Sequence, residues 1–289
     1  MKVSVIIPSL NPDEKLICVV DSLREAGFDD IILVNDGSDE NHMEPFEHVS
    51  AYPECTILTH EVNKGKGRGL KTAFEYCIKN RPDIDGVVTV DGDNQHKAAD
   101  ILKCCEKMAE CKDKVVLGVR NFSGKDVPFK SRFGNNMTSF VFKFACGLNI
   151  SDTQTGLRAI PRQYLELFDK VKGERFEYET NMLLEFKQSH IDFVEVQIET
   201  VYIEENASTH FNPIKDSLKI YGVIFKFLFS SIASSVIDLA MFALISALMF
   251  GKLDGSIRIF TATLGARIIS SLFNYTFNRK AVFNSKSGV

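Results

Sequence analysis

Two carboxylates stand two residues apart at Asp91-Gly92-Asp93, directly after the apolar run Gly86-Val87-Val88-Thr89-Val90. Acids placed where a buried run ends reach into one mouth and repel each other unless a cation lies between them. Mg²⁺ or Mn²⁺ suits such a pair, because a hard ion prefers oxygen ligands and often shares them with substrate phosphates. Gln95 and His96 add polar groups beside the acids. A lone histidine is more often a structural hydrogen-bonder than a ligand, so His96 ranks below them. An Asp-x-Asp alone also occurs as a solvated turn, so other segments must decide.

Two of them point the same way. Asn35-Asp36-Gly37-Ser38 closes another apolar run, Ile31-Ile32-Leu33-Val34. A carboxylate there either accepts N–H bonds from a nucleobase or caps the following turn. Asn63-Lys64-Gly65-Lys66-Gly67-Arg68-Gly69 offers glycines and cations ahead of a helical stretch, an arrangement suited to a diphosphate. It is not a Walker loop, since no Gly-Lys-Ser/Thr closes it.

The elements that must carry these residues are legible as an alternation. Val3-Ser4-Val5-Ile6-Ile7 reads as a strand, and Leu16, Val19, Val20, Leu23 and Ala26 follow at helical spacing until Gly27. The runs at Ile31–Val34, Thr56–Thr59 and Gly86–Val90 repeat the pattern. The expected fold is a doubly wound, mostly parallel α/β sheet with helices on both faces, ligands lying at the carboxyl ends of its strands. Further on, a helix is expected over Gly134–Cys146, with Phe140, Phe142 and Phe144 read as core, and a late strand over Val194, Val196, Ile198 and Val201.

Composition narrows the function. A net charge of −4 lacks the basic excess that phosphate-dominated nucleic-acid binding needs, so nucleic acid is not an expected partner. Seven cysteines without paired zinc spacing read as reduced core thiols in a cytoplasmic setting. The first residues, Met1 to Pro8, lack the basic start and cleavage site of a signal peptide.

The last quarter differs in kind. Phe227 to Phe250 carries a single charge, Asp238, and Ile259 to Asn278 is interrupted only by Arg267. Each is long enough to cross a hydrocarbon core of about 30 Å. The other reading, a buried core pair, has little need in a chain with a complete α/β core. The domains are therefore 1–212 for the catalytic unit, 213–226 as an amphipathic lead-in, 227–280 as a transmembrane hairpin (about 227–250 and 259–278) and 281–289 as a tail. Lys215, Lys219 and Lys226 precede the hairpin and Arg279, Lys280 and Lys286 follow it, against Lys252 and Arg258 at its turn. The positive-inside rule then gives a multi-pass cell-membrane protein with the catalytic unit and both termini cytoplasmic. Asp238 and Arg267 fall at similar depth, and an antiparallel hairpin is expected to pair them.

Taken together, the chain resembles a family 2 glycosyltransferase of the GT-A fold, in the group of dolichyl-phosphate mannose synthases and polyprenyl-phosphate glycosyltransferases. The resemblance rests on Ser4–Pro8, Val34–Ser38, Asn63–Gly67, Val90–His96, Gly118–Arg120, Ser131–Asn135 and Asp152–Arg158, in that order. It implies that Pro8, Asn11 and Asp36 border the nucleoside, with Lys66 at the diphosphate. It further implies that Asp91, Asp93 and Gln95 hold the metal, Gly92 and the acids face the donor, and Arg120, Arg132 and Arg158 serve donor and acceptor phosphates. Many relatives carry an acid after the asparagine of the first loop, whereas here Asn11 precedes Pro12-Asp13-Glu14. The hairpin resembles the first half of a four-span GtrA-like domain.

The activity so implied is inverting transfer of a hexose from a GDP-mannose or UDP-glucose type donor to a polyprenyl phosphate at the bilayer, with self-association of copies allowed. Two rivals remain. A family 2 enzyme with a polysaccharide or soluble acceptor would need a side-chain base, for which Asp152 or Glu177 would stand. A non-catalytic sugar-nucleotide-binding membrane partner would have no reason to keep Asp91 and Asp93.

Overall fold

The computed structural model describes residues 1–122, 129–143, 147–199, 215–251 and 254–278. Two compact units divide the chain, Met1–Asp216 and Ser217–Val289. In the first, seven strands form one sheet in the order β3-β2-β1-β4-β6-β5-β7. They are β1 (Val3–Ser9), β2 (Ile31–Asn35), β3 (Cys55–Thr59), β4 (Gly86–Thr89), β5 (Val115–Arg120), β6 (Arg158–Pro161) and β7 (Phe193–Ile198). The pairings of β1 with β2 and β4, of β2 with β3 and of β5 with β7 are parallel, as expected. Only β6 runs antiparallel, between β4 and β5.

The helices follow from their apolar stripes. Helix α1 (Lys15–Glu25) buries Leu16, Val19, Val20 and Leu23, the i, i+3, i+4, i+7 set of one face. The short α2 (Glu44–Ser50) buries Phe46 and Val49. Helix α3 (Lys66–Asn80) buries Leu70, Ala73, Phe74 and Cys77, and α4 (Ala98–Cys111) buries Ile101, Cys104, Cys105 and Met108. The described cysteines are free, and burial pushes the thiols of Cys77, Cys104 and Cys105 up to about 12, so they pack as small apolar groups. Helix α5 spans Phe129–Val141, earlier than the expected range. Of its phenylalanines, Phe142 beyond its end is buried but Phe140 is 58% exposed, which corrects the core reading for that residue. Phe144 and Val201 lie outside the described residues. Helices α6 (Leu165–Asp169) and α7 (Glu177–Gln188) complete the unit.

The second unit is an antiparallel helix pair, α8 (Lys215–Leu248) and α9 (Gly255–Phe277). Leu228–Leu248 and all of α9 are long and apolar enough to cross a membrane, with mean hydropathies of 2.0 and 1.2. A polar seam joins them. Ser230 donates to Asn274 at 2.8 Å, Ser234 to the Ser270 carbonyl at 2.9 Å, and Ser270 to Asp238 at 3.0 Å. Arg267 Nη1 lies 3.6 Å from Asp238 Oδ2, the pairing expected from depth. Lys252, Arg279, Lys280, Lys286 and the 281–289 tail lie outside the described residues.

Because Arg267 is 71% and Asp238 19% exposed at the side chain, removing either leaves the other unbalanced in an apolar span. Asp238→Asn and Arg267→Gln should each lower the yield of folded, detergent-extracted protein. The double variant should recover part of the loss, while strictly additive losses would show that the residues do not act as a pair.

Candidate donor and metal site

The loops after β1, β2 and β4 meet where the three parallel strands end, and a cavity of about 480 Å³ opens there. Its wall includes Pro8 to Asp13, Asp36, Asn63, Gly65, Lys66 and Asp91 to Asp93. That volume falls within the range of small-molecule sites.

The paired acids sit differently. The Val90 N–H still bonds the Ile6 carbonyl at 2.9 Å, so Asp91 is the first residue to leave the sheet. A Cβ on Gly92 would come 2.8 Å from Ser9 Oγ, and one on Gly156 would overlap the Asp91 carboxylate. Glycine at both positions lets the acids pack against β1 and the turn before β6. Asp91 Oδ1 pairs with Lys66 Nζ at 2.7 Å, and its Oδ2 lies 3.6 Å from His96 Nε2. Burial would raise this carboxyl, but the Lys66 charge and the His96 contact outweigh it and hold Asp91 far below the usual carboxylate range. Asp93 is raised instead, by burial and then by repulsion from Asp91. Its Oδ1 accepts the Gln95 N–H at 3.1 Å, and Asn94 takes a positive φ of 61° to make that turn.

These residues fit a divalent cation. Asp93 stays raised by burial and by Asp91 despite the nearby Lys66 and His96, Asp91 is open to the cleft at 31% side-chain exposure, and the buried His96 Nδ1 has no hydrogen-bond partner. Among the described residues no group of three or more His, Cys, Asp or Glu forms a closed cage. Mg²⁺ is commonly held by one or two carboxylates and completed by substrate phosphates, which matches this open arrangement.

Asp36 faces inward. Its carboxylate accepts the Lys64 N–H at 2.9 Å and the Gly65 N–H at 2.7 Å, and it meets His60 Nδ1 at 2.7 Å. These bonds brace the turn, and Asp36 also stands on the wall of the cavity. Asn11, at φ 49°, donates its N–H to Ser38 Oγ at 2.8 Å and exchanges side-chain bonds with Asp39, fixing the first loop to the second.

Helix α3 begins against the start of α7. Gly65, at φ 103°, lies against the Glu174 carbonyl, and a Cβ on Gly67 would come 2.5 Å from Tyr178 Cβ. The Arg68 N–H bonds the Glu174 carbonyl at 2.9 Å, and the Glu174 carboxylate takes Arg68 and Lys71. Gly67→Ala gains up to about 1 kcal/mol of helix propensity, but overpacking of this kind costs about 1–3 kcal/mol. The variant should melt lower than the parent and bind nucleoside diphosphate less tightly, and an unchanged melting temperature would contradict the close approach.

The arginines separate into three environments. Arg120 ends β5 and grips Asp152 through two bonds, 2.8 and 3.1 Å, at the edge of a second cavity of about 690 Å³. Asn135, Asn136, Ser139, Phe140 and Lys143 line that cavity from α5 and just beyond, and Arg132 sits partly exposed early in the same helix. Arg158 is 1% exposed. Its guanidinium donates to the Thr155 carbonyl at 3.2 Å and the Glu179 carbonyl at 2.9 Å. Burial lowers its pKa. These bonds brace the frame beside Asp91, while the buried Arg158 Nη2 has no hydrogen-bond partner.

The two candidate bases are also engaged. The Asp152 side chain is enclosed and tied to Arg120, and Glu177 Oε1 accepts the N–H groups of Glu174 and Arg175 at 3.3 and 3.4 Å. Three residues in the site escape sequence reading. His60 supports Asp36, Arg175 lines the donor cavity, and Glu179 meets Lys66 at 2.9 Å. For Arg175 and Glu179 the glycines at 65 and 67, which admit the start of α7, were the signal in the sequence.

Residues 4–168 match the family described as Glycosyl transferase family 2. A UDP-N-acetylglucosamine--dolichyl-phosphate N-acetylglucosaminyltransferase of Methanococcus voltae is 30% identical over 69% of this chain and 85% of its own length. An undecaprenyl-phosphate 4-deoxy-4-formamido-L-arabinose transferase of Yersinia pestis is 26% identical over 57% of this chain and 50% of its own. Among solved structures, glucosyl-3-phosphoglycerate synthase from Mycobacterium tuberculosis, in complex with Mn²⁺, UDP and phosphoglyceric acid, has a TM-score of 0.57 at 16% identity. The match covers 79% of this chain and 78% of that one, and it establishes a shared GT-A-like fold.

Proposed function

The chain belongs to glycosyl transferase family 2, and from that premise we propose that it transfers a sugar from a sugar nucleotide to a polyprenyl phosphate at a membrane face. The observation that carries the reading is the convergence of Asp91, Asp93, Lys66 and the first turn of α3 on one cavity. The lipid-phosphate acceptor is supported by the names of the Methanococcus and Yersinia relatives. A uridine donor is favoured over a guanosine one by the Methanococcus relative.

In this reading the nucleoside lies along Pro8 and Asn11, with Asp36 fixing the wall rather than reading the base. Asp91, Asp93 and Gln95 would hold Mg²⁺ or Mn²⁺, which when bound offsets charge developing on the leaving diphosphate. Lys66, at the start of α3, would meet the same diphosphate. Arg120, at the edge of the second cavity, and Arg132 would attract the acceptor phosphate. An acceptor phosphate oxygen forms a bond to the anomeric carbon from the face opposite the diphosphate. The bond to the diphosphate oxygen breaks, and its electron pair leaves with the nucleoside diphosphate, inverting the anomeric centre. A phosphate monoester with a second pKa of about 6 is already largely ionised at neutral pH, so the step needs no side-chain base. The engagement of Asp152 and Glu177 agrees with that. In this reading the α8–α9 hairpin anchors the chain, and the excess of cations flanking it in the sequence favours a cytoplasmic side for the catalytic unit and both termini.

The test is a donor and acceptor panel. Purified full-length protein in detergent, with Mn²⁺, should transfer label from one class of UDP- or GDP-sugar to undecaprenyl phosphate. Undecaprenol and 3-phosphoglycerate should remain unlabelled. Preferred transfer to 3-phosphoglycerate would favour a soluble phosphate acceptor and overturn the lipid reading.

A further inference from the structure

Lys66 is shared by two acids from segments more than eighty residues apart. Its Nζ lies 2.7 Å from Asp91 Oδ1 and 2.9 Å from Glu179 Oε2, and all three side chains are at least two-thirds enclosed. Both arms of this bridge are held rigidly. On the lysine side, Gly67 against Tyr178 and Arg68 against Glu174 clamp the first turn of α3 to the start of α7. On the glutamate side, the buried Arg158 donates to the Glu179 carbonyl at 2.9 Å, fixing the backbone that carries the carboxylate.

We propose that Glu179 is a positioning residue that seats Lys66 as a resident counter-ion of Asp91 and keeps the ammonium inside the cleft when Asp91 turns to a divalent cation. The inference rests on the proposed donor and metal site. Asp91 Oδ1 cannot give its full charge to Lys66 and to a second cation at once, so the two compete for it. Without Glu179 the ammonium would fall wholly onto Asp91. With Glu179 it has a second acid 2.9 Å away and remains available to a diphosphate bound at the start of α3. The arrangement also explains why an acid stands beside a site meant for an anion. Its carboxylate serves the lysine and not the ligand.

Simple electrostatics and this seat predict opposite signs for one measurement. Removing an acid near an anionic ligand should strengthen anion binding, whereas misplacing Lys66 should weaken it. The full-length protein is titrated with Mn²⁺ alone, read by the electron paramagnetic resonance of free Mn²⁺, and with UDP and GDP in Mn²⁺, read by calorimetry. Lys66→Met should bind Mn²⁺ alone about tenfold more tightly than the parent, because the competitor is gone. Glu179→Gln keeps the side-chain shape and the carbonyl used by Arg158. It should bind both Mn²⁺ and the preferred nucleotide several-fold more weakly, and Glu179→Asp should recover part of the loss. In the Lys66→Met background, Glu179→Gln should no longer weaken nucleotide binding. Tighter or unchanged nucleotide binding by Glu179→Gln, or unchanged Mn²⁺ affinity in Lys66→Met, overturns the proposal. Asp91→Asn with parental Mn²⁺ affinity, or a parent that binds neither nucleotide in Mn²⁺, overturns the site reading beneath it.

Discussion

Asp91→Asn should lower transfer by about a hundredfold to a thousandfold while leaving the chain folded, since loss of one electrostatic group at a developing charge costs about 3–4 kcal/mol. The substitution keeps the shape that Gly156 and Gly92 make room for, so no packing is lost. Lys66 still has Glu179 at 2.9 Å, so no buried ammonium is left without a partner. What disappears is the charge on the member of the acid pair that the surroundings hold firmly ionised. Asp93→Asn should show a split. Transfer should collapse as well, but metal-free protein should melt no lower than the parent, because the repulsion that burial and Asp91 impose on that carboxylate is removed. Parental turnover in either variant, or full activity of the parent in excess EDTA, would contradict the metal role.

Arg158→Ala should be the most destabilising single change in the catalytic unit. It removes the largest of the fully buried side chains, opens a cavity, and leaves the Thr155 and Glu179 carbonyls without their donor. Cavity and unsatisfied-group costs together give about 3–5 kcal/mol, or about 10 °C or more in melting temperature for a unit of this size. Arg158→Lys should recover only part, because an ammonium cannot reproduce the forked donation to two carbonyls. The same variant separates framing from ligand binding. The KM for polyprenyl phosphate in Arg158→Lys should equal the parent's at a temperature where both are folded. A raised acceptor KM with an unchanged melting temperature would show that the guanidinium reaches the ligand after all.

Arg158 illustrates where the sequence stops being informative. A cation in a polar stretch after the donor motifs reads as a surface group, and nothing local signals that two carbonyls will enclose it. Its strand escaped notice for a related reason. Arg158-Ala159-Ile160-Pro161 is four residues long, starts with a charge and ends in proline, so it has neither a buried run nor alternation, and only its pairing with β4 and β5 makes it a strand. By contrast β1, β2 and β4 were legible because strands covered on both faces must be apolar throughout. The acids at their ends were therefore legible too. Asp36 was readable as a position and ambiguous as a role, since a base edge and a tight turn offer the same N–H groups. The Lys66–Glu179 contact spans 113 residues and depends on the sheet order, which no spacing encodes. The hairpin needed only length and hydropathy, and the depth of Asp238 and Arg267 along it was enough to bring them together.

The bond that the account requires is a phosphodiester at the acceptor, and phosphorus NMR of the extracted lipid observes it directly. Full-length protein, Mn²⁺, the preferred sugar nucleotide and undecaprenyl phosphate should convert the lipid monoester resonance to a diester, with one nucleoside diphosphate released per diester formed and no conversion by Asp91→Asn. A monoester resonance that persists while the sugar nucleotide is consumed would contradict transfer to the lipid phosphate.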